Sequence, residues 1–261
     1  MTVARICVLG PSGKMGQAVL GAAPSHAGLR VVAAIDRAGA PGLGAAAADG
    51  VVASSDLERG LDACDAYIDF TTPDGTAAAA VVAARLKKAA VIGTTGLGAE
   101  HERAIAALAE VAPVVVAANF SLGVNLLLGL VQQAARILGD WDAEIVELHH
   151  RLKRDAPSGT ALALARAVAA GREVDYDAVK RHARDGDVGA RTPGEIGVMA
   201  VRGGDVVGEH TVMFLGPHER IELAHKASSR AIFATGALRA AAWVAAQPPG
   251  RYDLLDVLGL R

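Results

Sequence analysis

The first half of the chain alternates short, continuously apolar runs with longer alanine-rich stretches. We expect the apolar runs to form β-strands and the stretches between them to form helices. Each run is apolar at consecutive rather than alternate positions, so both faces of these strands should be buried, as in a parallel sheet with helices on both sides. The pattern predicts strands at Arg5–Leu9, Arg30–Ile35, Ala66–Phe70, Ala90–Ile92 and Pro113–Ala117.

The pattern of apolar positions changes after Asn119. A long helix is predicted over Gly123–Leu138, followed by a strand at Glu144–His149. From Gly194 onward, glycine-containing turns separate three strand-like runs, EIGVMAVRGG, VVGEHTVMFLG and RIELAHKA, which favours an antiparallel meander. We therefore predict a second region of α+β type with a mostly antiparallel sheet.

This change divides the chain into two predicted domains. Residues 1–121 should form a doubly wound α/β domain of the Rossmann type, and residues 122–230 the second domain. A last helix at about Ser229–Ala246 is expected to return to the first domain, so that residues 231–261 complete it. The charged, glycine-bearing segment 172–193 is expected to be an exposed loop.

Composition restricts the kind of partner. Among 261 residues, 26 lysines and arginines balance 28 aspartates and glutamates, so no basic field favours nucleic acid. The most apolar stretch, residues 114–131, is interrupted by polar side chains, so we expect no membrane span, and no signal peptide is expected either. Cys7 and Cys64 lie in apolar runs, which is typical of buried thiols in a reducing cytoplasm.

A glycine-rich turn follows the first predicted strand and opens a helix. In GPSGKMG, Gly10–Gly16, glycines permit a tight turn and let a pyrophosphate approach the helix N-terminus. A plain strand–helix turn would explain the spacing as well, but Asp36 follows at the distance expected of a carboxylate that binds ribose hydroxyls. Arg37 and Lys14 could instead attract a 2′-phosphate. We therefore predict a nicotinamide nucleotide site that accepts both NADH and NADPH.

Three later strand ends carry small or polar residues, in the segments FTTPDGT, GTTG and AANFS. Ligands of open α/β sheets bind at the carboxyl ends of the strands, so these segments should line one crevice. Backbone amides there, together with Thr94, Thr95 and Asn119, would hold a nicotinamide ring.

The stretch ELHHRLKRDAPSGTA combines two histidines and three cations with the start of a helix. Ser158 is predicted as the N-cap, so the N–H groups of Gly159 and Thr160 would be available to an anion. Lys153, Arg151 and His150 can converge on the same point from the preceding loop. The alternative is a capped helix beside a solvated basic loop, because clustered charges mostly lie at the surface.

The histidines do not predict a metal site. They lack tight spacing to cysteines or carboxylates, and neighbours on a strand, such as His149 and His150, point to opposite faces. His210 and His225 are expected to be strand residues that face an interface.

Eight motifs follow one another along the chain: GPSGKMG, DFTTPDGT, GTTG, NFSLGVN, ELHHRLKRDAPSGTA, RTPGEIG, RGGDVVGEHT and HKASSR. With these motifs, from Gly10 to its C-terminus, the chain resembles dihydrodipicolinate reductase of the diaminopimelate route to lysine. The resemblance implies NAD(P)H-dependent reduction of a cyclic imine dicarboxylate, 4-hydroxy-tetrahydrodipicolinate, to tetrahydrodipicolinate. It also implies a homotetramer whose interface is the sheet of the second domain.

The resemblance implies roles for single residues. His149 matches a proton donor or acceptor, Lys153 a proton donor, and Arg230 an arginine at the junction between domains. The implied substrate-binding residues, all in the second domain, are His150, Ser158, Gly159 and Thr160. The implied cofactor-binding residues are Gly10, Pro11, Ser12, Gly13, Lys14, Met15, Asp36, Arg37, Gly93, Thr94, Thr95, Ala117, Ala118, Asn119 and Phe120.

Two positions depart from the family motif. Leu152 replaces a histidine, and Arg154 fills a position that is often apolar. The two implied catalytic residues are kept, so the predicted function stands. One alternative is a non-catalytic NAD(P)-binding redox sensor of the same fold. Another is a dehydrogenase that acts on an aspartate-derived aldehyde through a covalent thiol, but neither cysteine lies in a suitable loop.

Overall fold

The computed structural model describes residues 3–260. The chain forms two compact units, one made of Met1–Leu122 with Ala231–Arg261 and the other of Gly123–Arg230. Each unit has its own sheet and buried core. Within the described residues, no helix is both long and apolar enough to cross a membrane.

The described part of the chain contains thirteen strands and nine α-helices. The strands are β1 (Ala4–Leu9), β2 (Leu29–Ile35), β3 (Ala46–Ala48), β4 (Val51–Ser54), β5 (Ala66–Asp69), β6 (Ala89–Ile92), β7 (Pro113–Val116), β8 (Asp142–His149), β9 (Lys180–Arg181), β10 (Ile196–Arg202), β11 (Gly208–Gly216), β12 (Glu219–Ala227) and β13 (Gly250–Tyr252). The helices are α1 (Lys14–Ala22), α2 (Leu57–Asp62), α3 (Pro73–Leu86), α4 (Ala99–Ala109), α5 (Leu122–Ile137), α6 (Gly159–Gly171), α7 (Tyr176–Val179), α8 (Ala231–Val244) and α9 (Leu254–Leu258).

The first unit contains an eight-stranded sheet with the order β13-β7-β6-β5-β1-β2-β4-β3. All neighbouring strands are parallel except β3 and β4. From β1 the chain adds strands on one side and then, from β5, on the other, so the direction of winding switches between these two strands. Ligands of such sheets bind outside the carboxyl ends of the strands at this switch point. The predicted doubly wound α/β fold is confirmed.

Both faces of this sheet are covered. In β1, Ile6 and Val8 belong to an apolar cluster with residues of α1 and α8, whereas Cys7 and Leu9 belong to a second cluster with residues of α2, α3 and α4. A strand buried on both faces needs apolar residues at consecutive positions, which is the pattern that predicted these strands. Helix α8 packs in the first unit, against α1 and the strands β5 to β7.

The second unit contains a five-stranded sheet with the order β12-β11-β8-β10-β9. Alternate residues of β8 are buried, and those that are apolar share a core with residues of α5 and α6. Helix α6 begins where it was predicted to begin. The hydroxyl of Ser158, its N-cap, accepts the N–H of Ala161 at 3.2 Å.

This second sheet is mixed rather than mostly antiparallel. Strand β10 is parallel to β8 and β9, whereas β11 is antiparallel to β8 and β12. The predicted meander is correct for the β11–β12 hairpin and wrong for β10, because β8 lies between β10 and β11. After Gly203 the chain crosses the end of β8, where the N–H of His150 donates to Val206 at 2.8 Å. A glycine turn shows where a chain reverses but not which strand it pairs with next.

Candidate functional site

The glycine turn after β1 has the geometry that a phosphate-binding turn requires. Gly10 has a φ of +68°, and the N–H of Gly13 donates to its carbonyl at 3.0 Å. A Cβ at Gly16 would lie 2.1 Å from the Gly10 oxygen, so α1 can pack against the turn only because residue 16 has no side chain. Helix α1 then begins at Lys14. The N–H groups and partial positive charge of a helix N-terminus favour phosphate.

Asp36 follows β2 and faces this turn. Its carboxylate accepts the N–H of Ser12 at 3.2 Å, the hydroxyl of Ser12, and the N–H of Arg37 at 2.9 Å. Burial opposes ionisation of this carboxyl, but the hydrogen bonds from Ser12 and Arg37 outweigh it and lower its pKa. Asp36 is therefore an ionised acceptor at neutral pH. It lines a cavity of about 450 Å³ together with Gly10, Gly13, Arg37, Phe70 and Thr71.

A buried carboxylate that the sequence analysis missed organises the neighbouring strand ends. Asp69, at the end of β5, is fully buried and accepts the N–H and hydroxyl of Thr71 at 2.8 and 2.6 Å. The hydroxyl of Thr94 lies 3.4 Å from Asp69 and 2.8 Å from the hydroxyl of Thr76. The side chain of Thr94 is thus engaged within the protein, whereas Thr95 is exposed.

Aromatic packing fixes the floor of the same crevice. A Cβ at Gly93 would lie 2.0 Å from the ring of Phe70, and that ring meets Phe120 edge to face at 5.4 Å. The ring of Phe120 is buried in the core, which leaves its main chain for any ligand contact. Pro11, Thr94 and Phe120 are the buried members of the predicted cofactor set. The half-buried or exposed members are Gly10, Ser12, Gly13, Lys14, Met15, Asp36, Arg37, Gly93, Thr95, Ala117, Ala118 and Asn119.

The predicted catalytic residues lie in the second unit, where strand register brings four polar side chains to one face. His149 pairs with Arg202 of β10, and Glu147 pairs with both Ala200 of β10 and His210 of β11. Residues directly opposite one another share a face of a sheet. That face carries the N-terminus of α6, since the N–H of Ser158 donates to Glu147 at 2.9 Å.

Glu147 is fully buried and accepts four hydrogen bonds. Besides Ser158, its donors are the Nδ1 of His149 at 2.6 Å and the two terminal nitrogens of Arg202 at 2.7 and 2.8 Å. Burial raises the pKa of this carboxyl, but the bonds from Arg202, His149 and Ser158 more than offset it, so the pKa is lowered. An ionised carboxylate bound to Nδ1 leaves Nε2 of His149 for proton exchange.

His210 belongs to this site and is not the interface residue that the sequence analysis expected. It is buried, its Nε2 lies 3.0 Å from the Ser158 hydroxyl, and its ring meets that of His149 edge to face at 5.2 Å. Burial, with the nearby charge of His149, lowers its pKa to about 4. His210 is therefore neutral at neutral pH. The hydroxyl of Ser158 thus contacts Nε2 of His210 and also accepts the N-cap bond from Ala161. The side chain of Ser158 therefore serves mainly to hold the structure of the site.

Lys153 is presented by the loop between β8 and α6. Its Nζ lies 2.9 Å from both carboxylate oxygens of Asp155, and its side chain is mostly buried. The main-chain carbonyl of Asp155 accepts a bond from Arg202 at 2.7 Å. His150, which was predicted to bind substrate, has its Nε2 3.5 Å from Arg230. These residues and the start of α6 supply cations and N–H groups on the same part of the second unit.

The departures from the family motif point away from this network. Leu152 is 80% exposed, and Arg154 is also exposed. In residues 3–260, no three histidine, cysteine, aspartate or glutamate side chains form a group that could hold a metal ion. Cys7 and Cys64 are both fully buried, which excludes either thiol as an exposed nucleophile.

Two family models together match nearly the whole chain. The model for the N-terminus of dihydrodipicolinate reductase matches residues 4–120, and the model for its C-terminus matches residues 123–258. The chain belongs to the dihydrodipicolinate reductase family. This family consists of pyridine-nucleotide-dependent oxidoreductases, and the predicted nucleotide site lies in the part of the chain that the N-terminal model matches.

Relatives in the dihydrodipicolinate reductase family are similar over their full length. The 4-hydroxy-tetrahydrodipicolinate reductase of Rhodopseudomonas palustris is 47% identical over 100% of this chain and 98% of its own. That of Cereibacter sphaeroides is 48% identical over 98% of both chains. A solved structure of dipicolinate-bound dihydrodipicolinate reductase from Paenisporosarcina sp. has a TM-score of 0.82 and 27% identity, covering 98% of this chain and 99% of that one.

Four members of the site were not predicted from the sequence. Glu147, Asp155, Arg202 and His210 all lie inside stretches quoted above, but none of them was given a role in the reaction. The alternation of β8, with Glu147 two residues before His149, could have indicated that the two share a face. Nothing in the sequence indicated that β10 would bring Arg202 to them.

Proposed function

We propose that the protein reduces the cyclic imine derived from 4-hydroxy-tetrahydrodipicolinate to tetrahydrodipicolinate, with NADH or NADPH, in the diaminopimelate route of lysine biosynthesis. One observation carries the proposal. A histidine bound through Nδ1 to a buried carboxylate, a paired lysine and a capped helix N-terminus lie together in a chain that also has a nucleotide-binding turn. That combination fits reduction of an anionic substrate with proton transfer.

The second unit fits a dicarboxylate. A dianion needs cations and N–H groups that hold it in one orientation, and Lys153, His150 and Arg230 with the start of α6 at Gly159 and Thr160 are of that kind. The dipicolinate found in the related solved structure is a planar ring with two carboxylates, which supports the same ligand class here.

The first unit fits the nucleotide. A bound NADH or NADPH supplies the hydride. The backbone of Gly10–Gly16 would hold the pyrophosphate and the ionised Asp36 would accept ribose hydroxyls. Arg37 is exposed next to Asp36, and Lys14 is exposed at the start of α1, so a 2′-phosphate would also find cations. We expect both nucleotides to be accepted, with a preference of less than about a hundredfold for either, or about 2.7 kcal/mol.

Proton delivery falls to residues of the second unit. Hydride reaches C4 of the conjugated ring, charge spreads toward C3 and the ring nitrogen, and C3 of the resulting enamine must gain a proton. Lysine is a weak acid at neutral pH but a good fixed cation, with an ordinary pKa of about 10.4. Lys153 thus stabilises the developing charge and supplies a proton, and His149 assists through Nε2.

The direct test is the oxidation of NADH and NADPH by the purified protein, with the hydroxy-tetrahydrodipicolinate produced in the cuvette by its synthase. Turnover is expected with both nucleotides. Nucleotide binding without turnover would instead identify the non-catalytic redox sensor. An absence of both would reject the nucleotide site as well.

We also propose a homotetramer assembled through the sheet of the second unit, and a cytoplasmic location. An apolar patch on one face of that sheet, formed by the exposed Val201 and by half-buried residues such as Leu148, supports the tetramer. The two cysteines, buried and without a disulfide, support the cytoplasmic location.

A further inference from the structure

Arg202 makes the contacts expected of a residue that couples two parts of the site. Its guanidinium donates to both oxygens of Glu147, at 2.7 and 2.8 Å, and to the carbonyl of Asp155 at 2.7 Å. Glu147 binds His149, and the side chain of Asp155 binds Lys153. One guanidinium therefore contacts the partners of both groups that the proposed reaction uses.

Four hydrogen bonds fix the orientation of the Glu147 carboxylate. Each carboxylate oxygen accepts two hydrogen bonds, which is close to the full capacity of the group. A buried carboxylate without its cation would carry a large desolvation penalty. Arg202 keeps Glu147 ionised and in one orientation, and Glu147 in turn keeps the proton of His149 on Nδ1.

Gly208 provides an independent sign that the ring of His149 is held for access at Nε2. A Cβ at this buried position would lie 2.9 Å from Nε2 of His149, and Gly208 has no positive φ that would itself require glycine. Because Gly208 has no side chain, space remains beside Nε2 of His149, the ring nitrogen that does not bind Glu147.

We propose that Glu147 and Arg202 are positioning residues for the reaction: Arg202 fixes Glu147 and the loop of Lys153, and Glu147 fixes the tautomer and orientation of His149. The expected loss of kcat rests on the proposed function, whereas the expected effect on the tautomer of His149 does not. The charged and titratable groups around His149 are Glu147 on its own strand, Arg202 on β10 and His210 on β11. His225 on β12 and Lys153 on the loop act on His210 as His149 does.

The test compares Glu147→Gln and Arg202→Lys with matched controls. Arg5 and Asp65 form a bidentate, exposed ion pair in the first unit. Arg5→Lys and Asp65→Asn therefore replace an arginine by lysine and a carboxylate by an amide in a similar pair away from the site. We expect each site variant to lose kcat by about tenfold or more while KM for the nucleotide is unchanged, because orientation matters most in the transition state.

A second measurement does not depend on turnover. Nitrogen-15 NMR of labelled histidines, with His149 assigned from a His149→Gln variant, reports which ring nitrogen carries the proton. The wild type should show Nδ1–H, and Glu147→Gln should show a mixture or the other tautomer. Arg202→Lys retains the charge and is the milder change if Glu147→Gln does not fold. Wild-type kcat together with an unchanged His149 tautomer in Arg202→Lys would overturn the proposal. In a protein without turnover, an unchanged tautomer in both Glu147→Gln and Arg202→Lys would overturn it.

Discussion

At the scale of single residues, the site combines groups whose charges are set by burial and by partners. Lys153 is held by Asp155, and this ion pair lowers the pKa of the Asp155 carboxyl. A lysine paired in this way is cationic when substrate arrives, and a substrate carboxylate can compete with Asp155 for the same Nζ. Lys153 is thus suited to stabilise the transition state as well as to bind.

Lys153→Ala should therefore lose mostly kcat, by roughly a hundredfold or more. Steady-state kinetics, with the nucleotide and the cyclic imine varied in turn, measure kcat and both KM values. Lys180→Ala is the control, because Lys180 also pairs with an aspartate in the second unit, Asp177, but on the exposed surface. A loss confined to KM would show that Lys153 only binds substrate.

His210 supports a prediction about pH. Its pKa is about 4 in the folded protein against 6.5 when unperturbed. Between these values the unfolded chain binds a proton that the folded one excludes, so the group makes the free energy of unfolding fall as pH falls from 6.5 toward 4. Between pH 7.5 and 4.5 the contribution is on the order of 2 kcal/mol. His210→Gln should remove this part of the pH dependence.

Urea unfolding at the two pH values measures this effect. The chain has two tryptophans, Trp141 in the second unit and Trp243 in the first, so a Trp243→Phe background makes fluorescence report the unit that contains His210. His218→Asn, on an exposed turn with a positive φ that asparagine tolerates, is the control. An equal pH dependence in His210→Gln and the wild type would contradict the assigned pKa.

The residues that the sequence could predict are those whose chemistry is carried by local pattern. Ser158 was predicted as an N-cap from its neighbours alone. Glu147 and Arg202 were not predicted, because a buried charge is tolerated only beside its partner, and this partner comes from a strand far along the chain. His210 was wrongly expected to face an interface for a similar reason, because the sequence of a strand does not show which face of the sheet a helix covers.

At the scale of elements, the proposed nucleotide site depends on the turn from β1 into α1. The close approach of α1 to the turn depends on residue 16, where a Cβ would meet the Gly10 oxygen at 2.1 Å. Gly21 lies in the same helix with no atom within 4 Å of the position of its Cβ. Substitutions at Gly16 and Gly21 can therefore be compared: both remove a glycine from α1, but only the one at Gly16 disturbs its packing against the turn.

Gly16→Ala should push α1 away from the turn and raise the Kd for NADH by at least about tenfold, equivalent to 1.4 kcal/mol. Gly21→Ala should leave this Kd unchanged and raise the free energy of unfolding by up to about 1 kcal/mol, because alanine favours helix. Isothermal titration calorimetry and urea unfolding measure both quantities. Equal nucleotide affinity in the two variants would show that the turn does not hold the pyrophosphate.

Element bounds follow from local pattern, whereas strand pairing does not. The five strands predicted for the first sheet agree with the structure to within one residue, because their continuous apolar runs reflect burial on both faces. Strand β10 was placed in the wrong pairing, since its alternation is compatible with either neighbour. Its parallel pairing with β8 is what brings Arg202 to Glu147, so the missed topology and the missed residue have one cause.

At the scale of the whole molecule, one face of the second sheet carries an accessible apolar patch beside charged residues such as Glu144 and Glu209. Val146, Leu148 and Met213 on this face are half-buried, as is Met199, and Val201 is 46% exposed. These residues are on the opposite side from Glu147 and His149, as strand alternation requires. An apolar patch of this kind marks an interaction surface, and a symmetric homo-oligomer covers such a patch with its own copy.

Val201→Glu should weaken the proposed tetramer, because it would bury a carboxylate without a partner in the apolar contact. Light scattering coupled to size-exclusion chromatography is expected to show a four-chain mass for the wild type and a smaller mass for the variant. Val81→Glu, on α3 of the first unit and 63% exposed, should leave the mass unchanged. A four-chain mass that persists in Val201→Glu would place the interface elsewhere. A one-chain mass in the wild type would mean that this apolar patch is open in solution.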